Sequence, residues 1–318
     1  MRLQGEGLNR VKLMTQNDLD GVGMAILAKA YFKRRTDIEF IEKSMAVKYL
    51  ANWLYDSSEL SAYRSLLITD LPMTKILSDR VEEVCNSKNL SYRLFNSNKS
   101  DVLVTKSWCE CSDELKVSGT RLFWKYFQKF NKLNNYGNFV EVVNELDINP
   151  NTTDEKAKKL SVLLRVLGKE RFIDRFAEDE KIEFSKDEES MIILDEERAL
   201  NSATKVVNNS FPIELTIPTV GNVKTIVGYA NDYVNESLVE LLSNYPDFDM
   251  AVVIGYPFGM IYKIREDKIG QYDLNSIAKF FKGTSNDNFA VCQFSSGIGK
   301  KMANMLFQFY GAKMKLVK

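Results

Sequence analysis

Two carboxylates spaced two apart and followed by glycine stand near the start of the chain, in Gln16-Asn17-Asp18-Leu19-Asp20-Gly21. Residues of this kind can gather a divalent cation, because carboxylates are hard oxygen donors, and a helix N-terminus beside them can hold a phosphate. A third carboxylate, Asp70, closes the apolar run Ser65-Leu66-Leu67-Ile68-Thr69. The plainer account of all three is that they cap strand ends and helix starts. Against it stands their mutual repulsion, which costs stability unless something neutralises them.

Particular elements must position these side chains. Residues 11–15 read as a short buried strand, and Gly21 and Gly23 turn the chain into the amphipathic run 24–32. Residues 37–41, 66–69 and 90–94 read as further strands, and 46–55 and 74–85 as helices with apolar residues at three- and four-residue spacing. Strands alternating with helices through short connections predict an α/β fold, a mostly parallel sheet with helices on both faces. The turns that follow its strands share one carboxyl edge, so Asp18, Asp20 and Asp70 are expected at a common crevice.

Residues 120–209 turn helical. Leu122, Phe123, Tyr126, Phe127 and Phe130 form one stripe and Leu160, Leu163, Leu164 and Leu167 another, both read as core packing. The charged run 179–189 is expected to open a helix that reaches Val207, as a solvated connector. Asn208-Asn209-Ser210-Phe211-Pro212 interrupts the pattern, which divides the chain into 1–208, an N-terminal domain with a helical connector, and 209–318, a smaller α/β domain. Strands are expected there at 213–217, 225–229, 250–255, 260–264 and 289–294, and helices at 237–244, 275–281 and 299–310. Gly297-Ile298-Gly299-Lys300-Lys301 lacks the spacing of a phosphate loop, and Ser295 or Ser296 reads better as a helix cap.

These motifs, in this order, resemble the DHH-family phosphoesterases. The family's first motif, His-x-Asp-x-Asp-Gly, reads here as Gln16 to Gly21, and its second, an Asp closing a strand, as Asp70. Its third follows the strand near residues 90–95 and reads Asn96-Ser97-Asn98. Ser118-Gly119-Thr120-Arg121-Leu122-Phe123-Trp124 is similar to the segment opening the helix after the fourth motif, whose Asp falls near Asp113 or Glu114. Ile264-Arg265 and the run 272–281 resemble the DHH-associated domain, with Lys282-Gly283-Thr284-Ser285-Asn286 at its glycine-rich signature. The resemblance covers nearly the whole chain. It departs from the family at the histidines: the chain contains none, and Gln16, Ser97, Asn98 and Asn286 stand in their places.

The resemblance implies a two-metal site, usually manganese, with a bridging hydroxide as nucleophile. Carried over residue by residue, it assigns Gln16, Asp18, Asp20 and Asp70 to the metal, and Asp18, Asp20 and Asp70 to catalysis if the chain is active. It assigns Asn98, Arg265, Gly283, Thr284, Ser285 and Asn286 to substrate, in a cleft between the domains. Without imidazole, the donors suit a hard ion such as Mg²⁺ or Ca²⁺, and the cofactor expected is one divalent cation, Mg²⁺ or Mn²⁺. Three readings follow: binding of a nucleotide or short single-stranded oligonucleotide with little or no hydrolysis, an active Mg²⁺-dependent phosphodiesterase on such substrates, or a ligand-free interaction scaffold.

Composition narrows these readings. Forty-three basic residues balance forty-three acidic ones, which excludes a global charge for nonspecific duplex binding and leaves any nucleic-acid contact to a local patch. Cys85, Cys109, Cys111 and Cys292 form no disulfide framework, and Cys109-Glu110-Cys111 has no second pair to complete a zinc site. With neither a signal segment nor a long apolar span, a cytoplasmic protein without membrane contact is expected, compatible with a homodimer.

Overall fold

The computed structural model describes residues 10–55, 57–97, 105–112, 117–149, 152–218, 220–255, 259–285 and 289–292. Its first unit is built on a five-stranded parallel sheet of β1 (Arg10–Gln16), β2 (Thr36–Ile41), β3 (Tyr63–Thr69), β4 (Ser91–Asn96) and β5 (Cys109–Cys111), in the order β2-β1-β3-β4-β5. Alternation along β1 sorts the core. Leu13 faces one layer and Met14 the other, as the two-residue period of a strand requires.

On the Leu13 side lies α1 (Leu19–Phe32), with α5 (Gly119–Gln128), α6 (Gly137–Ile148) and α7 (Glu155–Glu178). On the Met14 side lie α2 (Ala46–Tyr55) and α4 (Lys75–Ser87), with the short α3 (Ser57–Leu60) between them in sequence. All of residues 20–28 in α1 are buried, because the helix is apolar nearly all round and lies beneath three others. Burying a side chain such as Phe123 or Phe139, each fully enclosed, stabilises the fold by about 1.5–3 kcal/mol.

α7 buries Leu160 and Leu163 together with Phe172 and Phe176 only by breaking at Gly168, whose φ of 72° and ψ of 162° are not helical. The helix after it, α8 (Lys186–Asn208), starts later than the charged run suggests. Residues 179–185 instead wrap the Arg175 guanidinium, which donates to the carbonyls of Asp179 (2.9 Å), Lys181 (3.2 Å) and Glu183 (2.7 Å). A cation that collects three backbone carbonyls competes with the helix for them.

The second compact unit begins at Ile193, inside α8, not after residue 208. The reason is packing: Val206 is buried with Ile226, Leu238 and Leu241. This unit carries a six-stranded mixed sheet, β6 (Phe211–Ile217), β7 (Gly221–Tyr229), β8 (Met250–Gly255), β9 (Gly259–Ile264), β10 (Thr284–Ser285) and β11 (Phe289–Cys292), ordered β10-β11-β9-β8-β7-β6. Among its described strands only β7 and β8 pair in parallel. α9 (Val234–Asn244) packs on one face and α10 (Leu274–Phe280) on the other. Pro212 sits inside β6, where the edge position spares it a second ladder partner. The expected helix at 299–310, and residues 293 and 294 of the expected last strand, lie outside the described residues. Among the described residues no helix is long and apolar enough to cross a membrane.

Candidate functional site

In the order β2-β1-β3-β4-β5 the connections leave β1 in one direction and β3 in the other, so a crevice opens between the carboxyl ends of these two strands. Asp18 and Asp20 follow β1, and Asp70 follows β3. A pocket of about 370 Å³ forms there, lined by Gln16, Asp18, Asp20, Asp70, Ser97 and Asp147, with Lys43, Val117 and Ile148.

Asp18 is the N-cap of α1. Its backbone is extended and its Oδ1 accepts from the Gly21 amide at 2.8 Å. Its pKa is raised, foremost by burial against the pocket wall and further by Asp20, while the Gly21 amide and Lys43 oppose the rise. The residue as a whole is open to solvent, which screens these effects.

Asp20 is buried in the first turn of α1 and reaches across to α5. Its Oδ2 accepts from the Gly119 amide and its Oδ1 from the Thr120 amide, both at 2.9 Å, while its carbonyl accepts from Thr120 Oγ1 at 2.7 Å. Together with Ser118, whose hydroxyl accepts from the Arg121 amide, it satisfies the orphan donors of α5. The N-terminus of α5 thus holds an anion supplied by the chain itself. The close approach depends on Gly119, where a Cβ would stand 1.9 Å from Asp70 Oδ2 and 2.9 Å from Asp20 Oδ2.

Asp70 turns the chain out of β3 with φ at 47°, a left-handed conformation that Asp tolerates better than most residues. Its amide donates to the Phe95 carbonyl at 2.8 Å, its Oδ1 accepts from the Ser97 amide at 2.6 Å, and its carbonyl accepts from Gln16 Nε2. Burial pushes its carboxyl well above the usual range, and the charge of Asp20 and a hydrogen bond to it add to the shift.

Asp147, in the last turn of α6, is a pocket residue that the sequence motifs do not mark. Burial of its carboxyl, followed by the charges of Asp20 and Asp18, pushes it up to about 7, with Lys43 opposing. One signal could have found it: a carboxylate at a helix C-terminus faces the negative end of the dipole, a position with a cost that wants a reason. Lys43, exposed on the loop between β2 and α2, carries no comparable signal.

The residues do not fit the two-metal centre that the resemblance implies. Imidazole is absent, and both oxygens of Asp20 are engaged by backbone amides. Among the described residues no group of three His, Cys, Asp or Glu side chains is disposed to hold an ion.

The residues expected to bind substrate in the C-terminal unit have other partners. Arg265 donates from Nε to the Phe248 carbonyl (3.0 Å) and from Nη2 to the carbonyls of Tyr245 (2.7 Å) and Phe248 (2.8 Å), so its fork ties the turn after α9 rather than waiting for a phosphate. The Gly283 amide donates to the Ala278 carbonyl at 2.7 Å, closing α10. Thr284 and Ser285 form β10 and pair with Val291 and Ala290. Asn98, Asn286, Asp113 and Glu114 lie outside the described residues.

No family model and no curated protein matches the chain. Among solved structures it is similar to an uncharacterized protein from Helicobacter pylori G27, with 13% identity over 96% of this chain and 99% of that one and a TM-score of 0.44. It is also similar to CDC45 from Entamoeba histolytica, with 9% identity over 93% of this chain and 94% of that one and a TM-score of 0.41.

Proposed function

We propose that this chain is a phosphoesterase-like binding protein of DHH type that has lost the hydrolytic step. It takes a nucleotide, or the end of a short single-stranded oligonucleotide, at the crevice between β1 and β3. The observation that carries this reading is the use made of Asp20: both oxygens accept backbone amides of α5, so the second carboxylate of the Asp-x-Asp motif is a tie between elements. Catalysis by two metals needs carboxylates free to bridge ions and activate water. The remaining acidic wall, Asp18 and Asp147, repels a bare phosphate, and Lys43 supplies one opposing charge at the rim.

Calorimetry with mononucleotides, dinucleotides and short oligonucleotides in Mg²⁺, run beside chromatographic assays for cleavage with Mg²⁺ and Mn²⁺, tests the reading. The expected result is saturable binding without turnover, weakened by Lys43→Ala. Turnover abolished by Asp70→Ala would make the chain a working enzyme instead. Neither binding nor turnover would leave the scaffold reading.

A further inference from the structure

α1 and α5 meet at both ends. At their N-termini Asp20 joins Gly119. At their C-termini, eleven residues and about 16 Å further along α1, Tyr31 packs on Phe127 with ring centroids 4.8 Å apart. Phe130 leans on this pair from beyond the end of α5, 6.3 Å from Tyr31 and 6.5 Å from Tyr126, and remains 53% exposed. The expected core stripe therefore does not absorb it.

Cations surround these rings. Lys132 Nζ lies 4.8 Å from the Tyr31 centroid and Lys129 Nζ 5.4 Å from that of Tyr126. Lys33, Arg34 and Arg35 form an exposed turn directly after α1. The segments 29–35 and 121–136, which these aromatic rings bring together, contain no acidic residue, and of their cations Lys29 pairs with Asp174 and Arg121 with Glu141 from other helices. Lys33, Arg34, Arg35, Lys129 and Lys132 then make this end locally positive in a chain with no net charge.

We infer that this end of the α1–α5 pair is a binding surface for single-stranded nucleic acid, separate from the acidic pocket at the opposite end. The cations meet phosphates, and the open Phe130 ring offers a face on which an unpaired base stacks. Gln128 and Asn131, exposed and within two residues of Phe130 in sequence, offer amides to base edges. A duplex keeps its bases stacked away from such a ring. An anionic membrane would call for a wider apolar face than one phenyl group. The surface uses none of the pocket residues, so it stands or falls independently of the function proposed for the pocket.

Fluorescence anisotropy with the full chain and a labelled oligothymidylate or oligouridylate decides the matter, in parallel with sedimentation against vesicles of phosphatidylserine and phosphatidylcholine. Lys129→Glu combined with Lys132→Glu should weaken oligonucleotide binding at least about tenfold and flatten its salt dependence by roughly 0.7 for each phosphate no longer neutralised. Phe130→Ala should weaken it about five- to tenfold with the salt slope unchanged, as removal of one stacking platform predicts. Reversal of two exposed lysines elsewhere, Lys205→Glu with Lys224→Glu, should leave affinity within about twofold, since few counterions are released there. Absence of wild-type binding, equal weakening in that control pair, or binding to vesicles in place of oligonucleotide would overturn the assignment.

Discussion

At the scale of single residues, Asp18 and Asp20 have the same side chain, two positions apart, and different work. Asp18 accepts one amide as a cap, which Asn does equally well, so Asp18→Asn should change stability by less than about 0.5 kcal/mol. Asp20 accepts two amides on its two oxygens. In Asp20→Asn the side-chain nitrogen cannot accept, one buried amide of α5 is left unpaired, and the cost should be about 1–3 kcal/mol. Urea unfolding of the two variants compares them directly, and a larger loss in Asp18→Asn would show that the tie to α5 does not matter.

At the scale of elements, the helical layer over the sheet depends on breaks as much as on periodicity. α7 carries Leu160 and Leu163 before Gly168 and Phe172 and Phe176 after it, all buried in one core. An unbroken helix would direct the second set elsewhere. A Cβ at Gly168 would meet no atom within 4 Å, so any cost of Gly168→Ala comes from backbone conformation alone. The expected loss is about 1–3 kcal/mol, read as a lower urea midpoint. A variant as stable as the parent would mean that the two halves of α7 tolerate another junction. The turn at Lys33 and the Arg175 knot before α8 are further places where side-chain or backbone requirements end a helix that composition would continue.

At the scale of the whole molecule, the acidic pocket links stability to pH. Asp70 and Asp147 both have folded-state pKa values above the ordinary 3.8, the latter at about 7. Between about pH 4 and 7 the folded chain therefore holds protons that the unfolded chain has released, and stability falls as pH rises through that window. Below it both states are protonated and the effect vanishes. Solvent at the exposed Asp147 screens its share. Thermal melts from pH 4.5 to 8 should show the midpoint declining, and Asp147→Asn should flatten the decline above about pH 6. A midpoint that rises with pH would contradict the protonated pocket.

The sequence alone determined the alternation of strands and helices from β1 to β4 and the edge at which the carboxylates gather, but not β5 or β10, which at three and two residues are too short to carry a period. The alternation and the edge follow from local causes: a two-residue apolar period makes strands such as β1 and β3, and the turn after a parallel strand comes out at the same edge wherever it lies in the chain. What those carboxylates do there was decided by tertiary structure. Nothing near Asp20 in sequence announces that Gly119 and Thr120, a hundred residues on, will bring two amides to it. Nothing near Asp147 says that α6 ends against the same pocket. Arg265 illustrates the same limit from the other side, since a charged fork at a strand end suits a phosphate and a pair of carbonyls equally, and only packing placed Tyr245 and Phe248 within its reach. Local sequence sets which groups are available, whereas long-range packing sets which of them remain free for a ligand.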